Sequence, residues 1–498
     1  MSKNILAFDL GASSGKLFLA RFHENGAIDF DEIYRFPNAP IELNGGLYWD
    51  ILHIFEEMTE GIRKAVELTD DNIDSFAIDA FCNDFGLMAE DGTLLTQVRC
   101  YRDSRTARHE ETIYAKMSRE ELYRRTGNQN ALFNCLMHLA AMREEGQGYL
   151  IDNAHQLLFV PDLLLHFMTG LSVTEYTLAS VSQFYDFRTR DWNREIMETF
   201  QIPERILAPL TDPGTIIGKT SEDFNQKIGS KGFSVSTVCE HDTGSAYLSA
   251  PSRSGSSILI NCGTWALVGM AVEEALITPE GYAFNLANEG SIPGRHRLLR
   301  NIPSSWLIQE TQRCLHLQGQ DYSYSQLDQL AREAQPFRYF FDPDDPEFFQ
   351  GEDMPGRVRR ACLDLCGSAP DSVGELIRCI YETVALKFRW IIETMEKITG
   401  NQVKDIHMMG GGCQSTMLCQ YTANACGRPV IAGPVEATAI GNIAVQMLAN
   451  GMAASIDEAS SRLQSAYEPV TYEPEDIQAW EVRYQEFLAA IATRGQIA

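Results

Sequence analysis

Asn4-Ile-Leu-Ala-Phe-Asp-Leu-Gly-Ala-Ser-Ser-Gly-Lys-Leu-Phe-Leu-Ala-Arg21 is the stretch that decides the fold. Its two apolar runs predict two strands, and the small residues at positions 11–15 predict a tight turn between them. The stretch from Ser256 to Met270 repeats this outline in the second half of the chain, with a short polar turn between apolar strands. Such a repeat indicates a duplicated architecture, although two unrelated hairpins would give the same pattern.

Strands and helices alternate around the two hairpins. Apolar residues at helical spacing predict a helix over 51–67, and apolar runs predict strands over 75–79 and 85–88. Later in the chain, the same criteria predict helices over 374–398, 414–426 and 438–449 and strands over 406–409 and 430–432. This alternation is typical of α/β proteins. The length of 498 residues predicts two domains, with a boundary near 245–255, where the composition from Pro251 onward is the most linker-like.

The net charge of −27 argues against nucleic acid or an anionic membrane as a partner, because both need a basic surface. No apolar run approaches the roughly 20 residues of a membrane span, and the N-terminus lacks the layout of a signal peptide. We therefore expect a cytoplasmic protein whose 12 cysteines are reduced thiols. Cys362 and Cys379 flank a short polar segment and could approach each other.

The turn at 11–15 has a composition that suits phosphate binding. Small residues let the backbone approach a ligand, and successive N–H groups can form an anion nest. Asp9, at the end of the preceding strand, could hold Mg²⁺ or its water molecules. The spacing of a Walker A loop is absent, and a plain hairpin turn rich in small residues would look the same.

Three further segments carry polar groups that could do chemistry. In Val238–Ala246, Asp242 is either a helix N-cap or a general base that faces a substrate hydroxyl. The glycines at 410–412 either leave room for a flat ligand at the positive end of a helix or form a tight turn. The cluster Cys100–Thr106 suits polyol recognition, but a salt-bridged surface turn would have the same composition.

The order of these motifs resembles the FGGY family of carbohydrate kinases. The motifs are Asp-x-Gly-x-Ser-x-Gly, Tyr-Arg-Asp-Ser-Arg-Thr, His-Asp-Thr, Gly-Thr-Trp and Gly-Gly-Gly-Cys-Gln. Within the family the chain is most similar to rhamnulokinases, from about residue 4 to about residue 450, including the stretches Arg300–Gln309 and Ala432–Thr438. Rhamnulokinases phosphorylate L-rhamnulose at its C1 hydroxyl in deoxysugar catabolism.

The resemblance implies an α/β fold of two actin-like (ribonuclease H-like) domains with a cleft between them. The implied limits are 1–248 for a domain that binds sugar and phosphate and 249–455 for a nucleotide-binding domain. A helical segment over 456–498 is expected to pack back on the first domain. ATP and Mg²⁺ are the implied cofactors, a small ketose is the implied partner, and the enzyme is expected to be a monomer or a homodimer.

The resemblance also implies roles for single residues. Asp242 corresponds to the catalytic base, and Asp9 and Asp242 to the partners of Mg²⁺. The residues implied to lie at the sugar are Cys82, Asn83, Asp84, Asp103, His241, Thr243 and Asn301. Those implied to lie at ATP are Ala12, Ser13, Ser14, Gly15, Lys16, Thr264, Gln309 and Gly411.

The chain departs from the rhamnulokinase pattern in one loop. Where rhamnulokinases typically carry Thr-Trp-Gly-Val-Asp-Phe, residues 80–85 read Ala-Phe-Cys-Asn-Asp-Phe. The amide of Asn83 could pair with a sugar hydroxyl, so L-fuculose, L-xylulose and L-ribulose stay open as alternative substrates; packing of the loop is the other reading. An actin-like ATPase without a sugar acceptor and a sugar-binding regulator without catalysis are the alternatives from other classes.

Overall fold

The computed structural model describes residues 3–250, 255–349 and 351–492. The predicted linker composition at Pro251–Ser254 lies outside these residues. Up to residue 250, the strands are β1 (Lys3–Leu10), β2 (Ser14–Phe22), β3 (Ile28–Pro37), β4 (Ile41–Leu43), β5 (Gly46–Trp49), β6 (Ser75–Ala80), β7 (Phe85–Met88), β8 (Val98–Arg99), β9 (Gln156–Phe159), β10 (Thr174–Glu175), β11 (Tyr185–Asp186), β12 (Asp191–Trp192), β13 (Leu210–Thr211), β14 (Ile216–Lys219) and β15 (Ser234–Ser236).

The helices of the same part are α1 (Ile51–Leu68), α2 (Arg105–Arg108), α3 (Glu110–Lys116), α4 (Arg119–Thr126), α5 (Cys135–Glu144), α6 (Gly148–Asn153), α7 (Val160–Thr169), α8 (Tyr176–Val181), α9 (Arg194–Phe200), α10 (Glu222–Ile228) and α11 (Asp242–Tyr247). From residue 255 on, the strands are β16 (Ser257–Cys262), β17 (Trp265–Val272), β18 (Ala287–Gly290), β19 (His296–Pro303), β20 (Asp405–Met409), β21 (Val430–Ala432) and β22 (Val470–Tyr472). The helices there are α12 (Pro279–Ala283), α13 (Ser305–Leu317), α14 (Tyr324–Glu333), α15 (Met354–Cys366), α16 (Val373–Thr399), α17 (Thr416–Cys426), α18 (Ala437–Ala449), α19 (Ile456–Leu463) and α20 (Ile477–Ala492). Short 3-10 helices cover Glu204–Ile206, Pro346–Phe349, Gly411–Gln414 and Gln464–Ala466.

The chain forms two compact units. The first comprises Met1–Pro251, Val272–Leu298 and Ala437–Tyr467, and the second comprises Ser252–Ala271, Leu299–Glu436 and Glu468–Ala498. These units differ from the limits that the resemblance implied. Of the predicted C-terminal segment 456–498, only the part up to Tyr467 belongs to the first unit, because α20 packs against α17 in the second.

The first unit is built on a six-stranded sheet with the order β14-β15-β6-β1-β2-β3. Because successive side chains of a strand point to opposite faces, β1 contributes to two cores. Leu6, Phe8 and Leu10 pack in a core with α1 and α7. Ile5 and Ala7 pack on the other face in a core with α18 and α19. The sheet therefore lies between two helical layers, as is usual where parallel strands occur.

The second unit repeats the central arrangement of the first. Its strands β19-β17-β16-β20-β21-β22 are neighbours in that order. The hairpin β16–β17 is antiparallel and β16 pairs in parallel with β20, just as β1 pairs with β2 and β6. This duplication is what the repeated hairpin in the sequence predicts.

Helix α16 is the longest helix of the second unit. It begins with a capping box between Ser372 and Glu375 and ends at Gly400, whose φ of 74° is in the left-handed region. Its buried thiol Cys379 lies next to Cys362 of α15, with 3.5 Å between the sulfur atoms, and both are free cysteines. None of the helices in the described part of the chain combines the length and the apolar character that a membrane span requires.

Candidate active site

Three carboxylates gather at one end of the first unit's central strands. Asp9 in β1 lies opposite Lys16 in β2 and Asp79 in β6. Burial raises the pKa of the fully buried Asp79 well above its usual value, and the charges of Asp9 and Asp242 raise it further. One oxygen of Asp79, Oδ2, accepts a 2.6 Å hydrogen bond from Asn442 of α18. Within the described residues its other oxygen, Oδ1, is buried without a hydrogen-bond partner.

The turn between β1 and β2 is held from inside the protein. The backbone N–H of Gly11 donates to the carbonyl of Ser14, and Asn38 bonds to the carbonyls of Gly11 and Ser13. A Cβ at Gly15 would lie 2.2 Å from the ring of Phe36, so a larger residue does not fit there. These bonds use carbonyl groups of the turn. Of the predicted phosphate-binding residues, Ala12, Ser14 and Lys16 are half-buried and Ser13 is exposed.

Asp242 is the first residue of α11, and His241 occupies the N-cap position. The predicted alternative, in which Asp242 itself is the N-cap, is therefore wrong. Its Oδ1 atom accepts hydrogen bonds from the backbone N–H and the hydroxyl of Thr243, at 2.5 and 3.1 Å. The side chain is 31% exposed, so this carboxylate is reachable by a ligand.

His241 lies next to Asp242 and belongs to a buried charged cluster. Its Nε2 atom is 3.6 Å from Asp242 Oδ1, and its Nδ1 atom is 3.3 Å from Glu289 Oε2 and 3.2 Å from an Nη atom of Arg297. Burial lowers the pKa of His241, but Cys82 and Glu289 raise it well above its usual value. Burial raises the pKa of Glu289, but Arg297 and His241 lower it below its usual value.

The sequence gives no indication of Glu289 or Arg297. Each lies more than 40 residues from His241 in the chain, in β18 and β19. Only the fold brings them together.

The loop after β6 runs beside the His-Asp-Thr segment. Ala80 and His241 form a parallel bridge, and the backbone N–H of Ala80 donates to the carbonyl of Glu240 at 2.8 Å. Cys82 is half-buried here and interacts with the His241 ring. The structure thus brings together Cys82, His241 and Asp242.

The side chains of Asn83, Asp84 and Asp103 are engaged with the protein itself, and each residue is at most 3% exposed. Asn83 has a φ of 75°, accepts a hydrogen bond from Cys135 N at the start of α5 and donates to Cys82. Asp84 accepts from the indole N–H of Trp49. These bonds hold the loop in place, while Oδ1 of Asp84 is buried without a hydrogen-bond partner among the described residues. Contact of the three residues with the sugar stays a prediction.

Asp103 has three hydrogen-bond donors around it. It accepts from the backbone N–H groups of Leu47 and Arg105 and from the guanidinium of Arg99. A small cavity of about 60 Å³ lies between this cluster and α5. Its lining includes Asn83, Asp84, Arg99, Arg105 and His138.

The predicted nucleotide residues of the second unit lie at two neighbouring turns and on one helix. Thr264 is in the turn of the β16–β17 hairpin, and its carbonyl accepts from the N–H of Trp306 at 2.9 Å. Gly411 begins the 3-10 helix after β20, the strand that pairs with β16. Gln309 is half-buried in α13. Asn301 in β19, predicted near the sugar, has a buried Oδ1 that bonds to no other group in the part of the chain that the structure describes.

The glycine turn is crowded at one position and open at the next. A Cβ on Gly412 would lie 2.3 Å from the sulfur of Cys262, whereas a Cβ on Gly411 meets no atom of the described residues within 4 Å. Gly412 is therefore required for packing, and Gly411 borders free space that a ligand can use.

The carboxylates of the first unit suit a Mg²⁺ ion whose coordination is completed by water molecules and substrate phosphates. Among residues 3–250, 255–349 and 351–492, no group of three or more His, Cys, Asp or Glu side chains has the geometry to hold a metal by itself. Mg²⁺ usually takes one or two carboxylates, several waters and substrate phosphates. Asp9 and Asp242, the two carboxylates whose charges act on the buried Asp79, suit that mode.

Comparison with known proteins assigns both halves of the chain to one family. Residues 4–249 match the N-terminal domain and residues 258–450 the C-terminal domain of the FGGY family of carbohydrate kinases. A rhamnulokinase from Bacteroides thetaiotaomicron is 36% identical over 98% of this chain and 99% of its own length. A rhamnulokinase from Bacillus subtilis is 32% identical over 95% of each chain.

Solved structures agree on the fold. A xylulose kinase from Lactobacillus acidophilus superposes with a TM-score of 0.83 at 15% identity, covering 99% of this chain and 98% of its own. A glycerol kinase from Plasmodium falciparum, solved with ADP, gives a TM-score of 0.80 at 15% identity with the same coverage. Together with the matches to both family domains, this two-domain α/β architecture shows that the chain belongs to the FGGY family of carbohydrate kinases.

Proposed function

We propose that the chain transfers the γ-phosphoryl group of ATP to the C1 hydroxyl of L-rhamnulose. The observation that carries the proposal is the partly exposed carboxylate of Asp242, set beside the His241 ring at the end of the first unit's central strands. The similarity over nearly the full chain to proteins named rhamnulokinase supports the choice of sugar. The reaction would take place in the cytoplasm.

Asp242 is proposed as the general base. A primary alcohol is too weak an acid to ionise near neutral pH, so its proton must be accepted as the new oxygen–phosphorus bond forms. The C1 oxygen bonds to the γ-phosphorus, the bond from that phosphorus to the bridging oxygen breaks, ADP leaves, and the hydroxyl proton passes to Asp242. Thr243 holds Asp242 Oδ1 through two hydrogen bonds and so orients the second oxygen, Oδ2, for this role.

The remaining residues are proposed to bind and position. Residues Ala12–Lys16 would receive the phosphates through the backbone and the Lys16 ammonium, and Thr264, Gln309 and Gly411 would contact the nucleotide. Cys82, His241 and Asn301 would contact the ketose. Mg²⁺, held by Asp9 and Asp242, would neutralise phosphate charge when bound, which a protein of net charge −27 cannot do through its overall field.

A related ketose is the second candidate, because Cys82 stands where the family pattern has glycine. A side chain at that position occupies space beside His241, where backbone alone would leave room for the sugar. The test is ADP release with L-rhamnulose, L-fuculose, L-xylulose and L-ribulose. If another ketose is at least about tenfold better in kcat/KM than L-rhamnulose, the proposed sugar is wrong and the kinase assignment stands. ADP release that no ketose stimulates would favour an ATPase instead.

A further inference from the structure

Two buried charged side chains lie directly behind His241, on the side away from Asp242. Glu289 and Arg297 are 3% and 1% exposed, and Glu289 Oε2 lies 3.0 Å from an Nη atom of Arg297. The Nε atom of Arg297 donates to the carbonyl of Gly290 at 2.9 Å. The guanidinium also lies over the ring of Tyr247, 5.7 Å from its centroid. The arginine is thus fixed at several points.

Burying such a pair is costly unless its geometry is good, because both charges leave water. Apolar side chains at these two positions could fill the same volume at a lower cost in folding free energy. A contribution to stability is therefore a weak explanation for the buried ion pair. Its position is more informative. Both Glu289 Oε2 and an Nη atom of Arg297 contact the same atom of His241, Nδ1.

The contacts at Nδ1 fix the orientation of the ring. Glu289 Oε2 and an Nη atom of Arg297 lie 3.3 and 3.2 Å from Nδ1, so the ring is held at this atom. The other ring nitrogen, Nε2, then faces Asp242, whose Oδ1 is 3.6 Å away.

We infer that Glu289 and Arg297 are positioning residues that fix the ring of His241 with its Nε2 atom turned toward Asp242 and the ketose. The inference rests on the proposed function, in which His241 and Asp242 flank the sugar. Glu289 and Arg297 would then affect how tightly the sugar binds without contacting it, as the outer partners of ligating histidines do in metal sites.

The test is a double-mutant cycle with Glu289→Gln and His241→Ala. Glu289→Gln keeps the shape of the side chain and removes its charge. We expect it to raise the KM for the ketose about tenfold while the KM for ATP changes less than about twofold. In the His241→Ala background the same change should have less than about a twofold effect, since its route to the ketose has been removed.

Glu382→Gln is the matched control. Glu382 is 2% exposed and pairs with Arg378 at 2.7 Å, but it belongs to the second unit, whereas His241 belongs to the first. It should leave the KM for the ketose unchanged. Equal, additive effects of Glu289→Gln in both backgrounds, or equal rises in both KM values, would overturn the inference.

A second measurement needs neither turnover nor sugar. The ¹⁵N signals of the His241 ring should shift in Glu289→Gln and in Arg297→Lys, and stay in place in Glu382→Gln. Unmoved ring signals in a folded Glu289→Gln protein would contradict the inference even if no ketose were phosphorylated. Conversely, if the wild-type protein phosphorylates no ketose but the ring signals of His241 shift in the two variants as expected, only the proposed function is contradicted. If Glu289→Gln does not fold, Arg297→Lys takes its place in the cycle with the same expected outcomes.

Discussion

The side-chain amide of Asn442 lies 2.6 Å from Asp79 Oδ2, so a residue near the end of the chain holds a carboxyl group at the end of β6. Gln446 extends this contact, since it donates to Asn442 and accepts from Ser75. The network is fully buried and links α18 to the centre of the sheet. It is therefore a support for the carboxylates of the candidate active site.

Replacing Asn442 by leucine should weaken this support. The change removes the donor to Asp79 and the acceptor for Gln446, and we expect a loss of about 1–3 kcal/mol in the free energy of unfolding, the cost of unsatisfied buried groups. Urea denaturation measures it. Asn450→Leu, which removes only a part-buried bond to the carbonyl of Gln446 just after the end of α18, is the control and should cost less. Equal losses would show that the Asp79 contact has no special weight.

Asp242→Asn should lower kcat about 10²–10⁴-fold, the usual contribution of a positioned base. The amide keeps the size of the side chain, so nucleotide binding and the circular dichroism spectrum should remain. Steady-state kinetics with saturating ketose and ATP measure the effect. Asp91→Asn, in the exposed turn after β7, is a control that should leave turnover unchanged. Near-native turnover of Asp242→Asn would remove this residue from the role of base.

Gly411 and Gly412 should respond oppositely to added side chains. Gly411→Val should raise the KM for ATP more than the KM for the ketose, because its side chain enters the open space beside the turn and displaces nothing in the described protein. Gly412→Ala should instead lower the melting temperature, since its Cβ would meet Cys262 Sγ. A larger rise in the ketose KM for Gly411→Val would argue against a nucleotide at this turn.

Asn83→Val should destabilise the protein and leave the ranking of ketoses unchanged. Valine is disfavoured at a φ of 75°, at a cost of about 1–2 kcal/mol, and it cannot accept the hydrogen bond from Cys135 N. Asn83→Gly, which keeps the backbone conformation and loses only the hydrogen bonds to Cys135 and Cys82, should cost less. Cys82→Gly is the variant that tests sugar specificity, because it restores the glycine of the family pattern. Kinetics across the four ketoses decide, and a ranking altered by Asn83→Val alone would restore this residue as a specificity determinant.

Much of the fold could be predicted from local sequence patterns. The helix predicted over 374–398 is α16, because its apolar spacing, capping serine and terminal glycine all agree. The hairpins β1–β2 and β16–β17 were predictable for the same reason: strand, turn and strand are contiguous in sequence.

The direction of single side chains was less predictable. The sequence leaves open whether Asn83 faces a sugar or the protein, since that depends on the backbone conformation of one residue and on the position of α5. The partners of His241 were out of reach, because Glu289 and Arg297 come from strands of a later segment. The place of α18 was also out of reach, because this helix returns to the first unit after most residues of the second unit have passed in the chain.

That return of α18 has a consequence during synthesis on the ribosome. One face of the first unit's sheet, with Ile5, Ala7, Phe18 and Ala20, is covered by Ile440, Ile443 and Ala444. The strands emerge hundreds of residues before the helix that covers them. The nascent chain must therefore carry an uncovered apolar sheet face through most of translation, a state that invites aggregation and chaperone binding.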